Sequence, residues 1–124
     1  MISMSESTRW RIIFYRDSQS RLPVDVWIRG LSEQDQTRVF KTIDLLASYG
    51  VQLSMPHARH LRGKMWELRI AASRQHYRIL YAAAVGRKFV LLHGFSKKTP
   101  KTPLGELEIA ERRLADYLMR SRED

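Results

Sequence analysis

Residues 65–95 leave the chain little topological freedom. Three runs rich in β-branched and aromatic residues, at about 65–71, 77–84 and 88–95, are separated by short turns. A parallel crossover needs a dozen or more residues, so these runs must pair as antiparallel neighbours. Side chains alternate between the two faces of a strand, and opposed residues share a face, so the turns predict who meets whom. With the first turn at Ser73-Arg74, Arg69 opposes Arg78. With a Gly-first turn at Gly86-Arg87, Leu80 opposes His93 and Arg78 opposes Phe95. One face then collects Trp66, Leu68, Ile70, Tyr77, Ile79, Tyr81, Val90 and Leu92. The other collects Glu67, Arg69, Arg78 and His93, with Leu80, Leu91 and Phe95 among them, and Lys97, Lys98 and Lys101 beyond its end.

The flanking segments supply helices and one more strand. "RWRIIFYR" (9–16) is β-branched and aromatic, hence a strand. Pro23 is placed to open a short helix and Gly30 to stop it. Ser32 can N-cap a longer helix, with Asp35 in a capping-box-like position, Val39, Phe40, Ile43, Leu46 and Ala47 as its apolar stripe, and Gly50 beyond its end. Segment 51–64 reads as a basic connection with a proline turn. Thr102-Pro103 resembles an N-cap with proline at N1, ahead of a stripe of Leu104, Leu107, Ala110, Leu114, Tyr117 and Leu118. The expected architecture is α+β: a small antiparallel β-sheet in the order β-α-α-β-β-β-α, with the helices packed on one face. The 124 residues suit a single domain, its first eight or so residues disordered.

Charge narrows the partners. From 68 to 105 there are 8 basic residues and no acid, while 1–67 holds 10 basic and 7 acidic residues and 106–124 holds 4 and 6. The formal net charge of +9 therefore comes almost wholly from one block. Such a block repels itself, and nucleic acid is the commonest anionic partner. Two opposed arginines cost stability unless Glu67 or a ligand phosphate offsets them. Arg69 paired with Glu67 on an ordinary solvated face is the plainer alternative. There is no cysteine, which excludes disulfides and thiolate metal sites, and the histidines show no metal-ligand spacing, so no metal and no cofactor are expected. No apolar run approaches the roughly 18 residues of a membrane span, and 1–10 lacks a signal-peptide pattern, so a soluble, cytoplasmic protein is expected.

At "ELR", "YRILY", "LLHGFSKKTPKTP" and "IAERRLADY" the sequence resembles the RelE/HigB/ParE superfamily of bacterial toxins, and most of all its phage-derived HigB-like branch. The likeness runs over about 11–118 and includes "PVDVWIRGL" and "YGVQL". It implies a RelE-like fold and a type II toxin, held inactive by a cognate antitoxin of acidic or helix-turn-helix type, that cuts mRNA in a translating ribosome without metal. Carried over by motif, Arg69 matches a strand lysine, Arg78 the strand arginine, and Lys97 or Lys98 the basic residue after the last strand. Glu67 stands where some members carry lysine, and Pro103 roughly where RelE has an aromatic stacking residue.

The chemistry fits those residue types. Cleavage through the RNA 2′-hydroxyl needs a base, an acid and cations around the phosphorane. Guanidinium holds two phosphate oxygens and stays charged. His93 and Glu67 are candidate proton carriers, as is a lysine whose pKa is lowered by neighbouring cations; the alternative for His93 is a half-buried structural histidine. Arg59, Arg62, Lys64 and Lys101 are candidate RNA-backbone contacts, and Phe95 is a candidate stacker for a base. Two other readings stay open: a non-enzymatic, ParE-like gyrase inhibitor, and an RNA-binding module without catalysis.

Overall fold

The computed structural model describes residues 9–121; the expectation of disorder for the first eight lies outside that span. Strand β1 (Arg11–Phe14) leads to helices α1 (Pro23–Arg29) and α2 (Glu33–Tyr49), the latter closed by a 3₁₀ turn at Gly50–Gln52. Strands β2 (Ala58–Arg62), β3 (Met65–Ala71), β4 (His76–Ala84) and β5 (Lys88–Ser96) follow, then helix α3 (Leu104–Ser121). The five strands form one sheet in the order β1-β5-β4-β3-β2, antiparallel except for the parallel pairing of β1 with β5.

Local signals explain the two N-terminal helices. Pro23 opens α1, and Ser32 Oγ accepts the Asp35 backbone N–H at 3.2 Å at the start of α2. Gly50, with φ of 60°, ends α2, and a Cβ there would lie 2.4 Å from the Trp10 indole nitrogen. Only glycine meets both demands. Within α2, Val39, Ile43, Leu46 and Ala47 are buried, whereas Phe40, expected in the stripe, is 44% exposed.

The α+β class stands, but the sheet is mixed rather than antiparallel throughout because β1 joins β5 in parallel, and three other features differ from expectation. First, 58–62 is an edge strand rather than a connection. Its side chains are mostly polar and exposed, so the ladder to β3 holds it rather than an apolar face. Second, the helices flank both faces of the sheet. Val24, Ile28, Val39, Ile43 and Leu46 pack on Leu68, Ile70, Tyr77, Ile79 and Tyr81. Leu107 and Ala110 of α3 pack with Met65, Leu80, Ala82, Val90, Leu92 and Phe95, which alternate onto the opposite face. Tyr77 through Ala82 are consequently buried without a break, the mark of a strand covered on both sides.

Third, the β4–β5 hairpin turns through three residues, with Ala84 opposite Lys88 and positive φ at Gly86 and Arg87. A bulge then restores the expected register: Tyr81 opposes Leu91 but Leu80 opposes His93, leaving Leu92 unmatched. Beyond the bulge, Leu80–His93 and Arg78–Phe95 pair as expected. Before it, Val90 and Leu92 turn toward α3 and Leu91 toward α1 and α2, the reverse of the expected faces.

Candidate functional site

Past the N-terminal end of α3, the α3 face of the sheet carries charge instead of an apolar core. Arg59 of β2 pairs with Glu67 of β3, and Arg69 of β3 lies directly opposite Arg78 of β4. Glu67 is fully buried, with Arg78 Nε 3.6 Å from one carboxylate oxygen and Arg69 Nη1 and Arg59 Nε 3.8 and 4.0 Å from the other. The three guanidiniums are close enough for attraction but too far for a direct hydrogen bond. Thr102 makes that bond instead, its hydroxyl donating to Glu67 at 2.6 Å. Helix α3 begins at Leu104, with the Glu106 and Leu107 N–H groups on the Pro103 carbonyl, so Thr102 stands one residue short of the N-cap position expected for it.

Exposure grades across the cluster. The Arg78 side chain is 6% exposed and donates to the Tyr77 carbonyl at 2.9 Å, Arg69 is 25% exposed, and Arg59 is 48% exposed. Lys97, half-buried just past β5, hangs its backbone N–H on the His76 carbonyl at 2.7 Å. Burial pushes the Lys97 pKa down, and Arg78, Arg69 and Arg59 push it the same way against the pull of Glu67. Burial, Arg69 and Arg59 likewise lower the pKa of Arg78, opposed by Glu67. Four cations thus gather around one carboxylate, and one of them is a lysine that gives up its proton more readily than a free lysine. That arrangement can bind a phosphate and move a proton beside it.

The other expected site residues fall elsewhere. His93 lies under the start of α3, Nε2 at 3.0 Å from Glu106, Nδ1 at 3.3 Å from Arg113 Nη1, and its ring stacked on Phe95. Guanidinium only donates, so Nδ1 accepts, Nε2 carries the hydrogen and the ring is neutral. Burial lowers the His93 pKa, which agrees. Both ring nitrogens are thus engaged by α3, away from the carboxylate cage. Phe95 is packed in the α3 core and cannot offer its face to a base. Arg62 donates twice to Glu111, at 2.9 and 2.7 Å, and Lys64 is exposed beside it on the β2–β3 turn. Lys98 and Lys101 are exposed on the loop before α3, apart from the carboxylate cage.

A cleft of about 460 Å³ adjoins the cluster, lined by Arg69 and Arg78 together with Arg38, Lys41 and Thr42 of α2 and by His57 and His76. No acid lines it. Arg38 and Lys41 went unassigned in the sequence because both sit on the polar side of an amphipathic helix, and nothing local says where that side looks. Among the described residues, no group of three or more His, Cys, Asp or Glu side chains gathers to hold a metal, and no helix is long and apolar enough to cross a membrane.

Residues 26–115 match the family of phage-derived Gp49-like proteins (DUF891). The chain belongs to that family. No curated protein matches it. In this Gp49-like chain the matched span begins inside α1 and ends inside α3, so it contains Glu67, its three arginines, Lys97, Thr102 and the whole α2 wall of the cleft.

Proposed function

We propose that this Gp49-like protein is the toxin of a toxin–antitoxin pair and acts as a metal-independent endoribonuclease on mRNA in the translating ribosome. The cluster of Arg59, Arg69, Arg78 and Lys97 around buried Glu67 carries this reading, together with the motif resemblance to RelE- and HigB-like toxins. Arg69 and Arg78 grip the scissile phosphate and stabilise the charge that builds on its oxygens. Neutral Lys97 takes the 2′-hydroxyl proton; the 2′-oxygen bonds to phosphorus, the bond to the 5′-oxygen breaks, and the departing 5′-oxygen takes a proton from solvent water. The products are a 2′,3′-cyclic phosphate and a 5′-hydroxyl. Glu67 has no exposed oxygen to offer substrate, so its role shifts from candidate base to the counter-ion that holds the guanidiniums together. The antitoxin, of acidic or helix-turn-helix type, meets this basic surface, and the ribosome and mRNA are its other partners in the cytoplasm.

Translating a defined message with the purified protein and mapping new 5′ ends by primer extension tests the reaction. Cuts within the reading frame are expected, weakened about 10²–10³-fold by Arg69→Ala or Arg78→Ala. Arg69 is partly exposed, so its variant is informative even where Arg78→Ala folds poorly. The rate should rise with pH through a midpoint below the ordinary lysine value, and Lys97→Arg should abolish that rise because guanidinium keeps its proton. An intact message with wild type, or undiminished cutting by both arginine variants, overturns the proposal. The withdrawal of His93 and Phe95 beneath α3 favours one second reading, an RNA binder without catalysis. It predicts salt-sensitive RNA binding with the message uncut.

A further inference from the structure

Five arginines of this chain have a nearby acid to satisfy them. Arg9 holds Asp44, Arg21 holds Asp17, Arg29 holds Asp25, Arg62 holds Glu111 and Arg120 holds Asp116, each at 2.9 Å or less. Arg38 and Lys41 differ. Both are exposed, yet neither side chain makes an ion pair or hydrogen bond among the described residues. They are three apart on α2, which sets them side by side on one face of the helix. The acid one turn before Arg38, Asp35, is taken by the Tyr77 hydroxyl at 2.5 Å. Two cations are thus presented side by side to a cleft already lined by Arg69 and Arg78.

We propose that this cleft is a second phosphate site, in which Arg38 and Lys41 hold the backbone phosphate of the RNA nucleotide adjacent to the one gripped by Arg69. Arg69 belongs to both the carboxylate cage and the cleft wall, so one strand can pass from one to the other without leaving positive surface. About 460 Å³ lies within the range of pockets that enclose a nucleotide-sized ligand. His57 and His76 add donors around it, while the Thr42 hydroxyl gives its one hydrogen to the Arg38 carbonyl at 2.9 Å. Cations assembled without an acid repel one another, and a strand of phosphates removes that repulsion at every step. The contacts reach phosphate and not base edges, so they position the strand without selecting its sequence. The identity of the strand as substrate rests on the RNA-cleaving reading; the existence of the site does not.

Binding of a short, fully 2′-O-methylated RNA, which no 2′-hydroxyl mechanism can cut, separates the two. Fluorescence anisotropy across a salt series gives the slope of log affinity against log salt, which for single strands loses about 0.7 for each phosphate contact removed. Arg38→Gln with Lys41→Gln should flatten the slope by about 1.4, and Arg38→Lys with Lys41→Arg should restore it. Arg29→Gln, which removes an arginine already held by Asp25, should leave it unchanged. An unaltered slope in the double glutamine variant, or no binding of the oligonucleotide by wild type, overturns the second site. Flattening of the slope supports it even if the message in the translation assay stays intact, which would sink only the catalytic reading.

Discussion

Two regions of the α3 face treat charge in opposite ways. Under α3, ionic and polar side chains have close partners. His93 sits between Glu106 and Arg113, Arg62 makes two hydrogen bonds to Glu111, and Asp116 accepts from both Tyr15 and Arg120 at 2.6 Å. Beyond the start of the helix, Arg59, Arg69 and Arg78 share Glu67 at 3.6–4.0 Å, and Lys97 lies beside them. The same chain segments feed both: β2 gives Arg62 to one region and Arg59 to the other, and β5 gives His93 to one and runs straight into Lys97 of the other. The difference lies in what covers the sheet. Where α3 lies on it, the acids of the helix neutralise the strands. Where α3 has not begun, a single buried carboxylate faces an excess of cations, and the surplus is available to an anion.

Removing that carboxylate is the hardest blow to the contrast. Glu67→Gln strips the shared counter-charge from three arginines, one of them nearly sealed, and breaking a buried ion pair from one side costs about 3–5 kcal/mol. Urea unfolding should show a loss of that order in low-salt buffer. Inorganic phosphate should recover more stability in the variant than in wild type, because it supplies the missing anion. Equal stabilisation of both proteins by phosphate would mean that the cations are not a site held in balance by Glu67.

Much of this arrangement was legible before any coordinates. The Ser73-Arg74 turn is short, and it set Arg69 against Arg78 correctly, as it set Glu67 on their face. The far end of β4–β5 was also right, with Arg78 opposite Phe95 and Leu80 opposite His93. The near end was not, because the bulge at Leu92 and the extra turn residue cancel one another, and a two-residue turn reaches the same far register. Strand β2 escaped notice since "ARHLR" has no apolar alternation; only pairing with β3 makes it a strand. That α3 takes the second face runs against the one-sided packing expected: in "YRILYAA" the second alternating set holds Leu80 and Ala82 but also Arg78, and alternation cannot name the helix that covers a face. Arg38, Lys41 and Thr102 were invisible as site residues because their roles arise from contacts between distant elements.

A smaller effect probes the neutralised region through pH. Burial holds the His93 pKa below its ordinary 6.5, against the opposing pull of Glu106, and Arg113 adds to the lowering. A group whose folded pKa is depressed binds fewer protons in the folded chain than in the unfolded one. Acidification therefore favours unfolding, beginning as pH falls below about 6.5 and levelling off once the folded pKa is passed. Thermal unfolding of wild type should lose stability between pH 7 and pH 5 more steeply than His93→Gln, which has no proton to gain. Parallel pH profiles for the two proteins would mean that His93 is solvated and not latched beneath α3.

The smallest expected effect compares two arginines of one strand. Arg59 and Arg62 both lie on β2 and both are about half exposed, but Arg59 is 4.0 Å from a carboxylate it shares and Arg62 is bonded twice to one of its own. Hydrogen bonding to Glu111 and its charge raise the Arg62 pKa, the sign of a cation already committed. Surface pairs of this kind add little to stability, since water and salt screen them. Arg62→Ala should therefore leave the unfolding midpoint within the scatter of replicates, and should leave the salt slope of RNA binding unchanged. Arg59→Ala should flatten that slope by about 0.7, the share of one phosphate contact. Equal slopes for the two variants would erase the distinction between satisfied and surplus charge, because the only relevant difference between these residues is the partner that each one faces.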